Sequence, residues 1–437
     1  MWRWSVVRVL RLDRDKEEIG KLLNRPPFEE VALDLAKEII QKVREGGDST
    51  LLQFVRKFDS PNVKSLLVSP EDLERAHKKA SKSFLSAIRR ARRNIERFHR
   101  AILKNLRETI LNLPNGTKLA SLIRPLKRVG IYIPGGRAPY PSTLLMTAVP
   151  AQVAGVKEII VYSPPQKDGE IHPLILATAK ELGIEKVIRA GGAQAIAAMA
   201  FGTESVPKVD KIVGPGGAIV AGAKKEVFGY VGIESIAGPS EVLILADGKA
   251  NPHFIALDLL AQAEHDPLAW AVLITTSKEL SERVLREIET LLPQMERREI
   301  IEESLGKRGY IIIANSLEMA IEFVNDFAPE HLEIMMEKGE EIIPLIENAG
   351  AIFLGDYSPT AIGDYIAGPS HTLPTGRTSR FFSPLSVEDF LKRSSLISYS
   401  IQQFKRDAKS AMKIAEKEKL TAHLLSILRR LESLGDS

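Results

Sequence analysis

Four short stretches of this chain hold side chains whose types and spacing could do chemistry. Gln262 and His265 stand three apart in Asp258-Leu-Leu-Ala-Gln-Ala-Glu-His-Asp, a run of good helix formers. Three apart on a helix places both on one face. Beside an apolar side at Leu259, Leu260 and Ala263, an amide oxygen and an imidazole could converge on one point, which is half of a metal site. The plainer alternative is a solvated helix face with a stray histidine. Glu330 and His331 are adjacent in Asn325-Asp-Phe-Ala-Pro-Glu-His-Leu. In a strand they would point to opposite faces. Pro329 argues for a loop instead, where both reach one pocket and form a general acid/base pair. Asp364 and His371 lie in Gly363-Asp-Tyr-Ile-Ala-Gly-Pro-Ser-His, a Gly/Pro-rich loop after an apolar strand. Such loops often carry function, though an Asp there can merely fix a turn. Glu418 and His423 are about 140° apart around a continuous helix and so do not share a face. A break near Thr421, with Thr421 as N-cap, would let them meet. Gln262, His265, Asp364 and His423 together offer two imidazoles and two oxygens, a set that suits zinc and equally manganese or iron. His77, His99, His172 and His253 show no partner pattern and read as structural or solvated.

These residues need elements to hold them. From residue 129 short β-rich runs alternate with helical ones: Val129–Pro134, Glu158–Ser163, Lys186–Arg189 and Lys211–Val213. A second series follows at Glu241–Ala246, Ala271–Thr276, Tyr310–Ala314 and Ala351–Leu354. Strands alternating with helices imply βαβ units and parallel sheets. Two series suggest two α/β layers, in keeping with an old duplication, although no repeat is visible in the sequence. Before them, residues 28–110 read as successive helices, with Leu33, Ile39, Ile40 and Val43 at helical spacing. From about 386 the pattern is helical again, and residues 405–433 are charged and amphipathic. That tail is too thin to bury its own face, so it should dock on the body or on another subunit. The expected organisation is therefore an N-terminal extension (1–27), a first α/β domain from 28–128 together with 241–385, a second α/β domain (129–240), and a helical tail (386–437).

Three strand-to-helix turns in the first series are glycine-rich: Ile133-Pro134-Gly135-Gly136, Arg189-Ala190-Gly191-Gly192-Ala193-Gln194 and Val213-Gly214-Pro215-Gly216-Gly217. Glycine lets a backbone approach a phosphate, and the following helix N-terminus favours its charge. None matches Gly-x-Gly-x-x-Gly, so a dinucleotide site would be unusual in form, and glycine turns made for packing are the alternative.

Composition bounds the rest. The 437 residues carry a net charge of +4, with 44% hydrophobic and 27% charged residues. These values fit a globular protein with real cores and argue only weakly for anionic ligands. There is no cysteine, which excludes disulfides, Cys-ligated metals and thiol nucleophiles. The N-terminus is interrupted by Arg too often for a signal-peptide core, and no apolar run approaches the ~20 residues of a membrane span. A soluble, cytoplasmic protein is expected. The basic segment from Ser86 to Arg100 could bind nucleic acid. It reads better as a solvated helix with Ile88, Ile95, Phe98 and Ile102 turned to the core, since no base-stacking platform accompanies it.

The chain also resembles the histidinol dehydrogenase family, the zinc- and NAD-dependent enzymes of the last two steps of histidine biosynthesis, over roughly residues 30–430. The resemblance rests on Gly130-Ile-Tyr-Ile-Pro-Gly-Gly, Gly191-Gly-Ala-Gln-Ala-Ile-Ala, Ala237-Gly-Pro-Ser-Glu, Gln262-Ala-Glu-His, Ala328-Pro-Glu-His, Gly363-Asp-Tyr and Leu420-Thr-Ala-His, in family order. It implies two incomplete Rossmann-like parallel α/β/α domains and a homodimer whose C-terminal segment enters the partner's active site. Gln262, His265, Asp364 and His423 match the zinc ligands, one zinc per subunit, and Glu330 and His331 the catalytic bases. Ser240, Glu418, His331 and the zinc ligands match substrate contacts, with Glu418 and His423 supplied in trans. Tyr132 and Gln194 match NAD contacts. Gly217 stands where the family often has Asn, and Arg137 and Arg377 replace smaller residues.

The resemblance implies oxidation of L-histidinol through L-histidinal to L-histidine with two NAD. His331 would take the hydroxyl proton and Glu330 would activate water on the aldehyde. A chain without cysteine cannot form a thiohemiacetal, so a hydrated aldehyde is the remaining route. Two rivals stand beside this reading. One is a related dehydrogenase of another amino alcohol or a hydroxy-sulfonate; the other, more remote, is a basic nucleic-acid-binding protein, which leaves every glycine and histidine motif unexplained.

Overall fold

The computed structural model describes residues 7–26, 33–135 and 138–435. Its strands, in chain order, are β1 (Arg8–Arg11), β2 (Thr109–Asn112), β3 (Lys118–Pro125), β4 (Arg128–Tyr132), β5 (Glu158–Ser163), β6 (Lys186–Arg189), β7 (Lys211–Val213), β8 (Gly232–Ile233), β9 (Glu241–Ala246), β10 (Trp270–Thr275), β11 (Gly309–Ile313), β12 (His331–Met335), β13 (Ala351–Leu354) and β14 (Leu391–Ser398). The chain divides into two compact units, one of residues 1–103 with 126–390 and one of 104–125 with 391–437.

The larger unit holds two parallel sheets, of order β6-β5-β4-β7-β8 and β1-β11-β10-β9-β12-β13. Apart from β1, both follow one plan. The first strand of each series (β4 or β9) is central, with the next two on one side and the last two on the other. This is a doubled Rossmann-like α/β architecture, and the reversal of order falls between β4 and β7 in one sheet and between β9 and β12 in the other. Buried strands explain the unbroken apolar runs. Val242 and Ile244 face one core of the six-stranded sheet, while Leu243 and Leu245 face the other.

Three expectations change. Residues 28–128 do not keep company with 241–385 throughout. The helix Leu33–Phe54 lays Ala36, Ile39, Ile40, Val43 and Leu51 into the core of the five-stranded sheet, packed against the helix Gly192–Phe201. That second helix is alanine-rich and buried nearly all round, so it needs a cover on its outer side. The N-terminal extension adds β1 in parallel to the edge of the six-stranded sheet through pairing with β11. The tail is not wholly helical: β14 pairs antiparallel with β3. Most of its residues are exposed, so backbone pairing makes it a strand and no side-chain period announces it.

The smaller unit contains the sheet β14-β3-β2 and the helices Ile401–Lys417 and Thr421–Glu432. The helix break near Thr421 is present, but Lys419 makes it, with φ 58°. Thr421 is the first helical residue and Leu420 holds the cap position without a side-chain cap. Glu418 and His423 are both exposed, and no residue of the second helix is buried. Among the described residues no helix is long and apolar enough to cross a membrane. The basic helix Lys82–Asn105 buries Leu85, Ile88, Ala91, Ile95 and His99. Phe98 stays 40% exposed, and Arg89 is held by Glu181.

Candidate active site

The six-stranded sheet places Ser240, Glu330 and His331 at its N-terminal edge, where β9 and β12 begin. Ser240 lies just ahead of Glu241, which opens β9, and Glu330 just ahead of His331, which opens β12 in register with Val242. Ligands of open α/β sheets usually sit at the opposite, carboxyl edge. The helix Pro252–Ala263 follows β9 and returns towards this starting edge, so its C-terminal end delivers Gln262. Pro252 at its first turn and the Asn251 side chain, which accepts from His253 N–H, fix its beginning. The helix ends at Ala263. His265 therefore lies in the turn just beyond, its N–H 3.3 Å from the Gln262 carbonyl, and the helix-face expectation holds only approximately.

Glu330 lies in the bend expected of a loop, whereas His331 is already in a strand. Ala328, at φ 48°, ends the preceding helix, Pro329 lies ahead of the ladder, and β12 begins at His331. Both residues are 5% exposed. The main chain of Glu241 binds both: its N–H donates to Glu330 Oε2 (2.8 Å) and its carbonyl lies 2.9 Å from His331 Nδ1. A carbonyl can only accept, so Nδ1 carries a proton in either charge state and Nε2 is the nitrogen that titrates. Nε2 is buried without a hydrogen-bond partner and lies 3.8 Å from Asp364 Oδ1. Burial opposes charge on His331, but Glu330, Asp364 and the Glu241 carbonyl outweigh it and push its pKa up to about 9. Burial raises Glu330 to about 7 against the pull of His331 and the Glu241 N–H.

Asp364 sits in a one-turn π-helix, Gly363–Ala367, a distortion common at functional sites. Desolvation works against its charge, but His331 beside it prevails and keeps it ionised below the usual range. His371 Nδ1–H donates to the Asp364 carbonyl (2.9 Å), and its Nε2 lies 3.2 Å from Thr143 Oγ1. Both nitrogens are used and burial lowers its pKa, so His371 is a neutral prop for the turn. His331, Asp364 and His371 line a cavity of about 260 Å³ together with Phe353, Ser358 and Pro369.

Among the described residues no three or more histidines and carboxylates lie together as a metal-holding group, so each candidate donor stands on its own burial and protonation state. Gln262 is 3% exposed with its amide Nε2 unpartnered, and amide oxygen and nitrogen are interchangeable in such an assignment. His265 is exposed as a residue, yet enough protein surrounds the ring for desolvation to lower its pKa. A neutral imidazole, an ionised carboxylate and an unsatisfied amide are the protonation states that ligation needs. His423 belongs to the smaller unit.

The sequence did not point to two further carboxylates. Glu333, two residues along β12 from His331, accepts the Thr360 N–H (2.9 Å) at the turn leading to Asp364. It lies with Asp258 of the Gln262 helix, and burial raises the pKa of both, so the pair retains a proton.

The glycine turns fall at the carboxyl ends of β4, β6 and β7, as expected. Gly192 N–H donates to Tyr132 Oη (3.2 Å). Gly191 N–H and Gln194 Nε2 both donate to Asp59 Oδ2, at 3.0 and 3.1 Å. A carboxylate of the chain itself thus occupies that helix N-terminus. Gly217 caps the helix Ala218–Val227, and a Cβ added there meets nothing within 4 Å.

Residues 26–431 match the family model of histidinol dehydrogenase. The chain is 49% identical over 396 residues to the histidinol dehydrogenase of Clostridium acetobutylicum, covering 91% of each. It is 48% identical to that of Geobacter sulfurreducens, covering 95% of each. This chain belongs to the histidinol dehydrogenase family. The crystal structure of the histidinol dehydrogenase from Elizabethkingia anophelis superposes with a TM-score of 0.92 at 36% identity, covering 99% of this chain and all of that one. Set against the histidinol dehydrogenase pattern, the departure at Gly217 leaves open space. Arg377 adopts a left-handed backbone (φ 69°) with its Nε buried and unpartnered. Arg137 lies outside the described residues.

Proposed function

We propose that this chain oxidises L-histidinol through L-histidinal to L-histidine, as the last steps of histidine biosynthesis, and that it does so as a homodimer with zinc and NAD. The observation that carries the reading is the pairing of Glu330 and His331 on the Glu241 main chain, with His331 Nε2 free beside Asp364. Gln262, His265, Asp364 and His423 would hold the zinc, which when bound supplies a Lewis acid that orients the substrate's nitrogens. NAD would accept the two hydrides, bound near Tyr132, Gln194 and Gly217.

In its neutral form, which its pKa of about 9 makes the major one only in alkaline solution, His331 takes the hydroxyl proton at Nε2 as the first hydride leaves, because its Nδ1 is already committed to the Glu241 carbonyl. Glu330, buried and close to half-ionised at neutral pH, accepts a proton from the water that hydrates the aldehyde. His331 then deprotonates the diol for the second hydride transfer. Ser240 and Glu418 contact the substrate. The exposed Glu418 and His423, on helices with exposed Ile414, Leu420 and Leu425, are proposed to complete the site of the second subunit. The test is NADH formation with L-histidinol against amino alcohols that lack the imidazole, such as L-leucinol. Turnover confined to histidinol supports the reading; comparable turnover of leucinol favours a broader amino-alcohol dehydrogenase.

A further inference from the structure

Arg25 belongs to the segment ahead of the main body, one residue before the family match begins. It is nevertheless 5% exposed. Its Nε lies 2.6 Å from Glu241 Oε1 and its Nη2 2.8 Å from Glu241 Oε2, a two-pronged ion pair buried on both sides. Nη2 also donates to the Phe327 carbonyl (2.8 Å), and Nη1 to the Leu22 carbonyl (3.4 Å). The guanidinium carbon sits 3.6 Å from the centre of the Phe327 ring. Every side of the group is therefore engaged, and its planar fork matches the carboxylate in a way an ammonium cannot.

The residue it holds matters. Glu241 is the residue whose N–H binds Glu330 and whose carbonyl binds His331 Nδ1. Its side chain and its main chain thus serve two different partners. A rigid line of contacts runs from the guanidinium through the Glu241 carboxylate to its backbone, and from there to both bases. Phe327 closes the loop from the other side, since it ends the helix that leads through Ala328 and Pro329 into Glu330. The fork therefore clamps the start of β9 to the approach to β12, where the bend at Glu330 and the first strand residue His331 carry the bases.

We infer that Arg25 is a positioning residue for the Glu330–His331 pair, acting through Glu241. The inference rests on the proposed oxidation of histidinol. Displacements of about 1 Å at reacting groups can cost on the order of 100-fold in rate, so loosening the fork should act on kcat more than on KM.

The zinc-replete enzyme is compared with Arg25→Lys and with the double variant Arg25→Met/Glu241→Leu, which removes both charges and keeps the buried volume filled. Both should keep the wild-type zinc content. Each should lose about 10- to 100-fold in kcat for L-histidinol with KM changed by less than about threefold. The hydrogen-bonded Nδ1 proton of His331, assigned by its loss in His331→Asn, should shift or broaden in both variants. Wild-type kcat in the folded double variant, or an unshifted His331 signal, would overturn the role of Arg25. Failure of wild-type enzyme to oxidise histidinol would instead count against the functional reading, and the ring-proton signal still decides the role of Arg25 in that case.

Discussion

Replacing Glu330 with Gln separates the two oxidations. The amide keeps an acceptor oxygen for the Glu241 N–H, so the start of β12 and the His331 ring should stay where they are. What Gln cannot do is accept a proton from water. General-base catalysis is usually worth about 10²–10⁴-fold, or roughly 3–5 kcal/mol at 1.36 kcal/mol per decade. Oxidation of added L-histidinal should fall by that amount. The first step loses only the electrostatic support that Glu330 gives to His331 from 3.5 Å. With the carboxyl at about 7, that support is already partial near neutral pH. Oxidation of histidinol to histidinal should therefore fall by about tenfold or less. The assay follows NADH from each substrate and traps free histidinal with an amine reagent. The variant should release trappable histidinal and yield fewer NADH per histidinol than the wild type. Equal losses in the two activities would refute the division of labour.

Three other outcomes follow from the same structure. His99 is fully buried with neither ring nitrogen partnered, and desolvation lowers its pKa to about 4. The unfolded chain binds the proton first, so stability is intact above pH ~6.5 and is lost as pH falls towards ~4, about 2 kcal/mol by pH ~5. Urea midpoints of His99→Leu should show correspondingly less acid sensitivity, and an identical drop in both proteins would contradict the assignment. Gly217→Asn should fold normally, since open space surrounds that cap position. It should lower the KM for NAD with kcat nearly unchanged, and an unchanged KM would remove Gly217 from the cofactor site. Mixing His331→Asn with His423→Asn subunits should restore part of the activity that each lacks alone. No recovery would place His423 and His331 of one subunit in the same site.

Much of this was legible because parallel strands buried on both faces read as apolar runs. Glu241–Ala246, Glu158–Ser163 and Ala351–Leu354 appear in the structure with the bounds expected. β12 escaped for a physical reason. His331 and Glu333 put two ionisable side chains into a fully buried strand, so the site itself breaks the pattern that marks strands. Gln262, Glu330, His331 and Asp364 stand out by residue type and motif order, but nothing in the sequence brings His331 to Asp364, 33 positions on. Glu241 looked like an ordinary strand residue. Its partner Arg25 lies 216 positions away, a distance over which spacing carries no signal. Asp59, which fills the helix N-terminus at Gly191, was hidden in the same way.

The most direct test of the account is the number of NADH formed per L-histidinol by the purified enzyme, before chelation, after it, and after zinc is restored. Two NADH per histidinol, activity lost on chelation, and the same stoichiometry on return of zinc are expected. One NADH per histidinol, with histidinal as the end product, would leave Glu330 without its role and contradict the four-electron reading.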